Sequence, residues 1–342
     1  MQLRNSLLAA ACAAVLAALA APLGAQRPRI DVAPVSPAPG SLVRLLVADS
    51  AIAHRAAADS AAADSAARRD SIVAIRGTMA GEPLHFARSR GAWRAIGAVP
   101  VDSTDSTRIE ILVERASARV DTLRRSIAPP PLPPPSEQLD VAPRFGTPLD
   151  SATQARVDSE VARAQAVGRR SHDTPRLWTQ PFTAPRASAI TSRFGTGRVF
   201  NGQVASRHLG VDYRGATGDA VRAANRGVVA LIDTTFLGGR VVYVDHGEGI
   251  VTAYMHLSKP TVAVGDTVRR GERIGLVGAT GRVTGPHLHW AARYGALTVN
   301  PLGLLDLDAD TVQARPAEGK KTERGRPAPG RPRSPPLGAP RR

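Results

Sequence analysis

Cysteine is nearly absent from this chain: 342 residues hold one, Cys12, inside an apolar N-terminal run. Disulfides are thereby excluded, and a metal site would have to be built from His, Asp or Glu. The Ala-Ala-Ala before Cys12 lacks the leucine that a lipoprotein signal carries three residues ahead of its cysteine, which disfavours lipidation. Lysine is scarce too, with Lys259, Lys320 and Lys321 the three among 45 basic residues. Aromatics form 4% of the chain and do not alternate with a basic stripe, so no nucleic acid is expected as a partner despite a net charge of +16. Beyond the N-terminal run, no apolar stretch is long enough for a membrane span.

The N-terminal run itself has a recognisable grammar. Arg4 precedes an Ala/Leu stretch from Leu7 to about Ala21, and small residues lead to Ala25-Gln26. Residues 1–25 therefore read as a secretory signal peptide, and the Leu-Gly-Ala before Gln26 favours cleavage over an uncleaved membrane anchor. The expected location is extracytoplasmic, periplasmic or secreted, with no transmembrane segment in the mature chain. From Gln313 to Arg342, nine Lys/Arg stand against two Asp/Glu among many Pro and Gly, the composition of a disordered basic tail spanning 306–342. Between 186 and 305 fourteen Lys/Arg face seven Asp/Glu. A basic surface and tail of this kind match an anionic cell envelope.

The remaining chain divides by punctuation. Residues 27–128 hold short β-type runs at 41–47, 71–76, 92–96 and 108–113, separated by Gly, Pro and Asp/Ser clusters, which predicts a small β-sandwich of immunoglobulin-like size. An Ala-Ala-Ala-Asp-Ser repeat at 55–71 has side chains too small to build a core and reads as a surface insertion. The run Pro129-Pro130-Pro131-Leu132-Pro133-Pro134-Pro135 predicts a stiff polyproline spacer, opening a linker over 129–185. Within it, Asp150-Ser151 predicts a capped helix to about Val167, with Val157, Val161 and Ala164 on one face. From 186 to 305 the pattern is consistently β, with runs at 228–232, 240–245, 250–256, 274–277 and 287–293 between Gly-rich turns. The chain as a whole is expected to be mainly β, its C-terminal domain antiparallel with long loops.

Five of the eight histidines fall between His208 and His289. Alternation along a strand puts His287 and His289 on one face, and likewise Tyr254 and His256. Gly210 permits a turn that aims His208 and Asp212 at one point. Imidazole nitrogens and a carboxylate in this arrangement suit zinc, and three protein ligands leave a position for water, which the metal acidifies. No His-Glu-x-x-His helix is present, so a histidine beside the metal is the candidate general base. His246 precedes a Gly turn and reads as a loop-positioning residue.

These motifs resemble the lysostaphin/LytM-type zinc metallopeptidases, which cut peptide bonds in bacterial peptidoglycan. The resemblance runs over about 186–305, through Ser192-Arg193-Phe194-Gly195, Phe200-Asn201-Gly202, His208-Leu209-Gly210-Val211-Asp212, Asp245-His246-Gly247 and Tyr254-Met255-His256-Leu257. It continues through Gly265-Asp266-Thr267-Val268 and Gly278-Ala279-Thr280-Gly281 to Thr284-Gly285-Pro286-His287-Leu288-His289-Trp290 and Asn300-Pro301. It implies one Zn2+ per chain held by His208, Asp212 and His289, with His256 and His287 as non-ligand catalytic histidines. It also implies the open antiparallel fold called the duplicated hybrid motif, and peptidoglycan peptides as substrate. Trp290-Ala291-Ala292-Arg293 stands where many members place an acidic residue.

Two other readings fit the sequence less well. Relatives that lost ligands act as non-catalytic activators of other wall hydrolases, but every ligand position is filled here. The turn at 265–272 is also seen in lipoyl- and biotin-carrier domains, which need an attachment lysine at a hairpin tip, and the one lysine in the domain, Lys259, lies elsewhere.

Overall fold

The computed structural model describes residues 28–48, 71–89, 91–102 and 105–307. The predicted signal peptide, nearly all of the Ala/Asp/Ser insertion and nearly all of the basic tail lie outside them. Eight strands form the N-terminal part: β1 (Ile30–Ala33), β2 (Leu42–Ala48), β3 (Ile72–Met79), β4 (Glu82–Pro83), β5 (Ala87–Ser89), β6 (Ala92–Ala98), β7 (Thr107–Arg115) and β8 (Val120–Ile127). They make two four-stranded sheets, ordered β1-β2-β6-β5 and β4-β3-β7-β8. Alternation explains the packing: Val43, Leu45 and Val47 of one sheet meet Ile109, Ile111 and Val113 of the other in a buried aliphatic core.

Next come β9 (Pro135–Leu139), α1 (Pro143–Gly146) and α2 (Ser151–Ser171). Asp150 caps α2 as its sequence predicts, its carboxylate accepting from Thr153 N at 2.7 Å. The helix runs a turn past Val167, and its buried residues are Glu160, Ala164, Val167, Gly168 and Ser171. The expected Val157–Val161–Ala164 face is therefore rotated: Val161 is exposed, and the helix lies on the sheet through Ala164 and Val167. Gly168 sits where a Cβ would come 1.8 Å from the carbonyl oxygen of Gly295, so no larger residue fits this crossing. No helix among the described residues is long and apolar enough to cross a membrane.

The polyproline segment departs from expectation. Instead of ending as a free spacer, it adds β9 in parallel to β11 (Gly197–Phe200), which hairpins with β12 (Val204–Arg207). Pro135 is tolerated because it opens the strand. A ten-stranded sheet carries the rest: β10 (Ile190–Ser192), β13 (Val211–Arg214), β14 (Ala220–Arg222), β15 (Gly227–Thr235), β16 (Gly239–Gly247), β17 (Ile250–Pro260), β18 (Thr267–Val268), β19 (Arg273–Val277), β20 (His287–Tyr294) and β21 (Leu297–Val299). A one-turn helix, α3 (Leu302–Leu305), follows. The long path through this sheet runs β10-β13-β20-β17-β16-β15-β18, and its pairings are antiparallel.

The strands of β17 and β20 have two unlike faces. Ile250, Tyr254, Leu288, Trp290 and Ala292 enter the main core, while Val251, Ala253 and Ala291 face α2. The main core also takes in Leu42, Ile96 and Ala98 from the N-terminal sheets, so the two parts of the chain share buried apolar surface.

Candidate metal centre

Three strands bring the histidines together. β13 and β20 pair with Asp212 directly opposite His289, and Met255 of β17 lies opposite His289 on the other side. Along β20, His287 and His289 alternate with the core residues Leu288 and Trp290, as the two-residue period requires. His208 enters from the segment before β13, its main chain bonded to Thr196 O and Gly195 N.

The period alone does not deliver His256. Alternation would send it, like Tyr254, into the core, yet it joins the cleft that His289 faces. The register of β17 against β16 slips between Arg240↔Leu257 and Val242↔Tyr254, and His256 adopts φ +61°. A left-handed residue inside a strand turns the ring onto the other face, at a cost of about 1–3 kcal/mol that the surrounding sheet must carry. Tyr254 stays behind in the core, where its hydroxyl bonds to Thr252 Oγ1 and accepts from Ala224 N. The expectation that Tyr254 and His256 share a face is thus overturned by the bulge.

Three ligand atoms converge. His208 Nε2 lies 3.0 Å from Asp212 Oδ1 and 3.0 Å from His289 Nδ1, and His289 Nδ1 lies 2.9 Å from the same Oδ1. These form the single cluster of metal-ligating side chains found among the described residues. His208 donates Nδ1–H to Arg193 O at 2.8 Å, so in its neutral form Nε2 offers a lone pair to the cluster. Two ring nitrogens and a carboxylate oxygen this close need a shared proton or a cation among them, and they are the donor set of a zinc site. Burial alone would raise the Asp212 pKa; hydrogen bonds and charge from His208 and His289 outweigh it and hold the carboxyl far below the usual range. Burial pushes His289 down to about 4, against the pull of Asp212, which favours the neutral ligand form. The residues fit zinc.

Gly210 proves necessary for a different reason than expected. Its φ is not left-handed; instead a Cβ there would stand 2.4 Å from His289 Nε2, so the glycine makes room for the ring.

His256 and His287 flank the cluster, their ring centroids 4.8 Å apart and His256 5.8 Å from His289. His256 donates Nδ1–H to Thr280 O at 2.8 Å, and His287 donates Nδ1–H to Gly285 O at 2.9 Å. Each therefore keeps Nε2 free, and that of His287 lies 3.6 Å from Asp212 Oδ1. Burial, reinforced by His287 and His289, pushes His256 well below the ordinary histidine range.

Residues that spacing did not reveal complete the surroundings. Arg198 Nη2 donates to the second oxygen of Asp212 at 2.7 Å, while its Nε donates to Glu137 at 2.8 Å. Glu137 also accepts from Ser192 Oγ at 2.7 Å. A carboxylate on β9 thus orients the arginine that orients a ligand. Asn201 does not approach the cluster: its side chain bonds to Val141 N and O at 2.8 and 3.0 Å, locking the linker to the hairpin. His246 is buried between Arg226 O and Thr252 Oγ1, both at 2.8 Å, away from the cleft.

A β sheet presenting this histidine–aspartate set forms a candidate metal centre with two further histidines beside it. Residues 206–301 match the family model described as peptidase family M23. Peptidoglycan DD-endopeptidase ShyC of Vibrio cholerae is 35% identical over 136 residues, covering 39% of this chain and 30% of that protein. DD-carboxypeptidase/endopeptidase Mpg of Neisseria meningitidis is 42% identical over 107 residues, covering 31% of this chain and 25% of that protein. The chain thus spans about a quarter to a third of the length of these relatives. The crystal structure of a putative peptidase M23 from Pseudomonas aeruginosa superposes with a TM-score of 0.55 at 26% identity, covering 79% of this chain and 95% of that one.

Proposed function

We propose that this chain is an extracytoplasmic zinc metalloendopeptidase that hydrolyses peptide bonds of bacterial peptidoglycan. The observation that carries it is the convergence of His208, Asp212 and His289 beside two histidines whose Nε2 atoms are free. The likeness to peptidoglycan endopeptidases supports the substrate class. The signal-like run at 1–25 supports the location, and the basic tail supports adhesion to an anionic envelope.

In this reading His208, Asp212 and His289 hold the zinc. The chemistry such an ion supplies is a water acidified towards neutral pH and a polarised scissile carbonyl. Arg198 fixes the Asp212 carboxylate in one orientation, so the ligand atom is set before substrate arrives. His256 and His287, each held in the Nδ1–H tautomer by a main-chain carbonyl, present Nε2 to take a proton, and a ring so protonated can then donate to the developing oxyanion. The cleft adjoining them measures about 330 Å³ on either side, room for an extended peptide.

Purified protein incubated with peptidoglycan should release soluble fragments, and chelator, His287→Ala and Asp212→Ala should each abolish the release. The proposal fails if fragments appear undiminished under all three. The filled ligand set speaks against a non-catalytic activator of other wall hydrolases.

A further inference from the structure

We propose that Arg282 receives a carboxylate of the substrate beside the hydrolytic centre, and that this contact makes the enzyme select an acidic peptide over its amide. The inference rests on the peptidoglycan-peptidase reading and adds a specificity determinant to it.

Arg282 stands in the loop between β19 and β20, in the wall shared by two cavities of about 330 Å³ each. Arg198, Phe200 and His256 line both cavities with it, so a group that reaches Arg282 remains beside the histidines. The loop is anchored by Arg282 N–H to Leu237 O at 2.8 Å, and the guanidinium lies 4.0 Å over the centre of the Phe200 ring. Among the described residues its guanidinium donates to Ser206 Oγ at 3.5 Å, at the limit of such a contact. Among the described residues no carboxylate pairs with it.

The neighbouring acids are already engaged. Glu137 serves Arg198 and Ser192, Asp212 serves Arg198 and the cluster, and Glu160 serves Arg156 and Phe236 N. Burial, with repulsion from Arg198, lowers the Arg282 pKa to about 10, a sign of how poorly the charge is compensated in the free protein. A planar guanidinium held in place by an aromatic face, lining a cavity and without a carboxylate partner among the described residues, is matched by a carboxylate taking two parallel hydrogen bonds. An amide of the same shape offers one acceptor and brings two donors against the guanidinium's own, so donor faces donor.

Peptidoglycan peptides present carboxylates from two sources, the chain terminus and acidic side chains. The test is kcat/KM of the zinc-loaded full chain on three cross-linked stem peptides: the parent, its C-terminal carboxamide and its side-chain carboxamide. The wild type should cut one of the amides at least about tenfold more slowly than the parent, which identifies the source. Arg282→Gln should lose at least about tenfold on the parent but less than about threefold on that amide, so discrimination collapses. Arg282→Lys should retain part of it. Activity of the glutamine variant on the amide guards against a folding defect. Equal rates on all three peptides by the wild type, or an equal loss on all three in the variant, overturn the inference and leave the peptidase reading intact. If the wild type cuts none of them, the peptidase reading itself falls and takes the inference with it.

Discussion

His256 shows what a single residue can do against its element. A left-handed φ in mid-strand places its ring in the cleft and shifts the phase of the strand, so that Met255 packs with the α2 cluster while Leu257 enters the main core. The same scale holds the ligand network. Because Arg198 bonds to Asp212 and Glu137 bonds to Arg198, Arg198→Gln should weaken zinc binding by about 10–100-fold, measured by competition with a chromophoric chelator. An affinity unchanged by the substitution would show that Asp212 needs no such support. His246 is neutral in the fold because burial depresses it to about 4, although Arg226 O and Asp245 favour the charged form. The unfolded chain binds a proton there near pH 6.5, so it holds more protons than the folded chain between about 6.5 and 4, and stability must fall as pH drops through that window. The span amounts to about 3 kcal/mol. His246→Gln should flatten this slope in denaturant melts taken from pH 7 to 4, and a slope identical to wild type would contradict the assignment. The four histidines and the aspartate that the structure brings together were legible in sequence, since each sits in a short motif. Glu137 and Arg198 were not, because 61 residues separate them and only strand pairing joins them.

Among the elements, β9 is the least expected. Pro129–Pro135 reads as a spacer, and nothing in its composition announces that residues 135–139 pair in parallel with β11. A strand that pairs at an edge needs no apolar alternation, so periodicity carries no signal for it. Its close approach is measurable: a Cβ on Gly197 would meet Pro135 Cα at 2.6 Å, a backbone atom that cannot swing aside. Gly197→Ala should therefore detach the linker, seen as faster proteolytic cleavage between Pro135 and Val141, whereas unchanged cleavage would argue against this docking. The helix α2 was legible in type, start and cap, but its buried face was not. Valine spacing pointed to Val161, while the contact is decided by the smallness of Ala164 and Gly168. Gly168→Ala gains helix propensity of about 1 kcal/mol. The clash with Gly295 O should still make the variant less stable by about 1–3 kcal/mol in chemical denaturation.

At the scale of the whole molecule, the N-terminal sheets are docked rather than tethered. Leu42, Ile96 and Ala98 enter the core of the peptidase part, and polar contacts close the seam. Glu82 accepts from Ala296 N at 2.9 Å and bonds His172 Nε2 at 2.9 Å, and His172 Nδ1 bonds His85 Nε2 at 2.8 Å. Tyr294 donates its hydroxyl to Pro83 O at 2.6 Å. Calorimetry should accordingly show one unfolding transition. Glu82→Ala, which strips partners from a buried imidazole and an N–H, should lower its midpoint by about 5 °C. Two separated transitions in the wild type would contradict the shared core. These polar contacts carry no periodic signal in sequence, since they join groups as far apart as the Glu82 carboxylate and the Ala296 N–H.

The most direct measurement is mass spectrometry of the soluble products from purified peptidoglycan digested with the zinc-loaded protein and with Asp212→Ala. The centre described here predicts fragments with newly exposed amino and carboxyl ends at one peptide bond, present with the wild type and absent with the variant or with chelator. Products cut in the glycan, or peptide products of equal yield from Asp212→Ala, would contradict a metallopeptidase built on His208, Asp212 and His289.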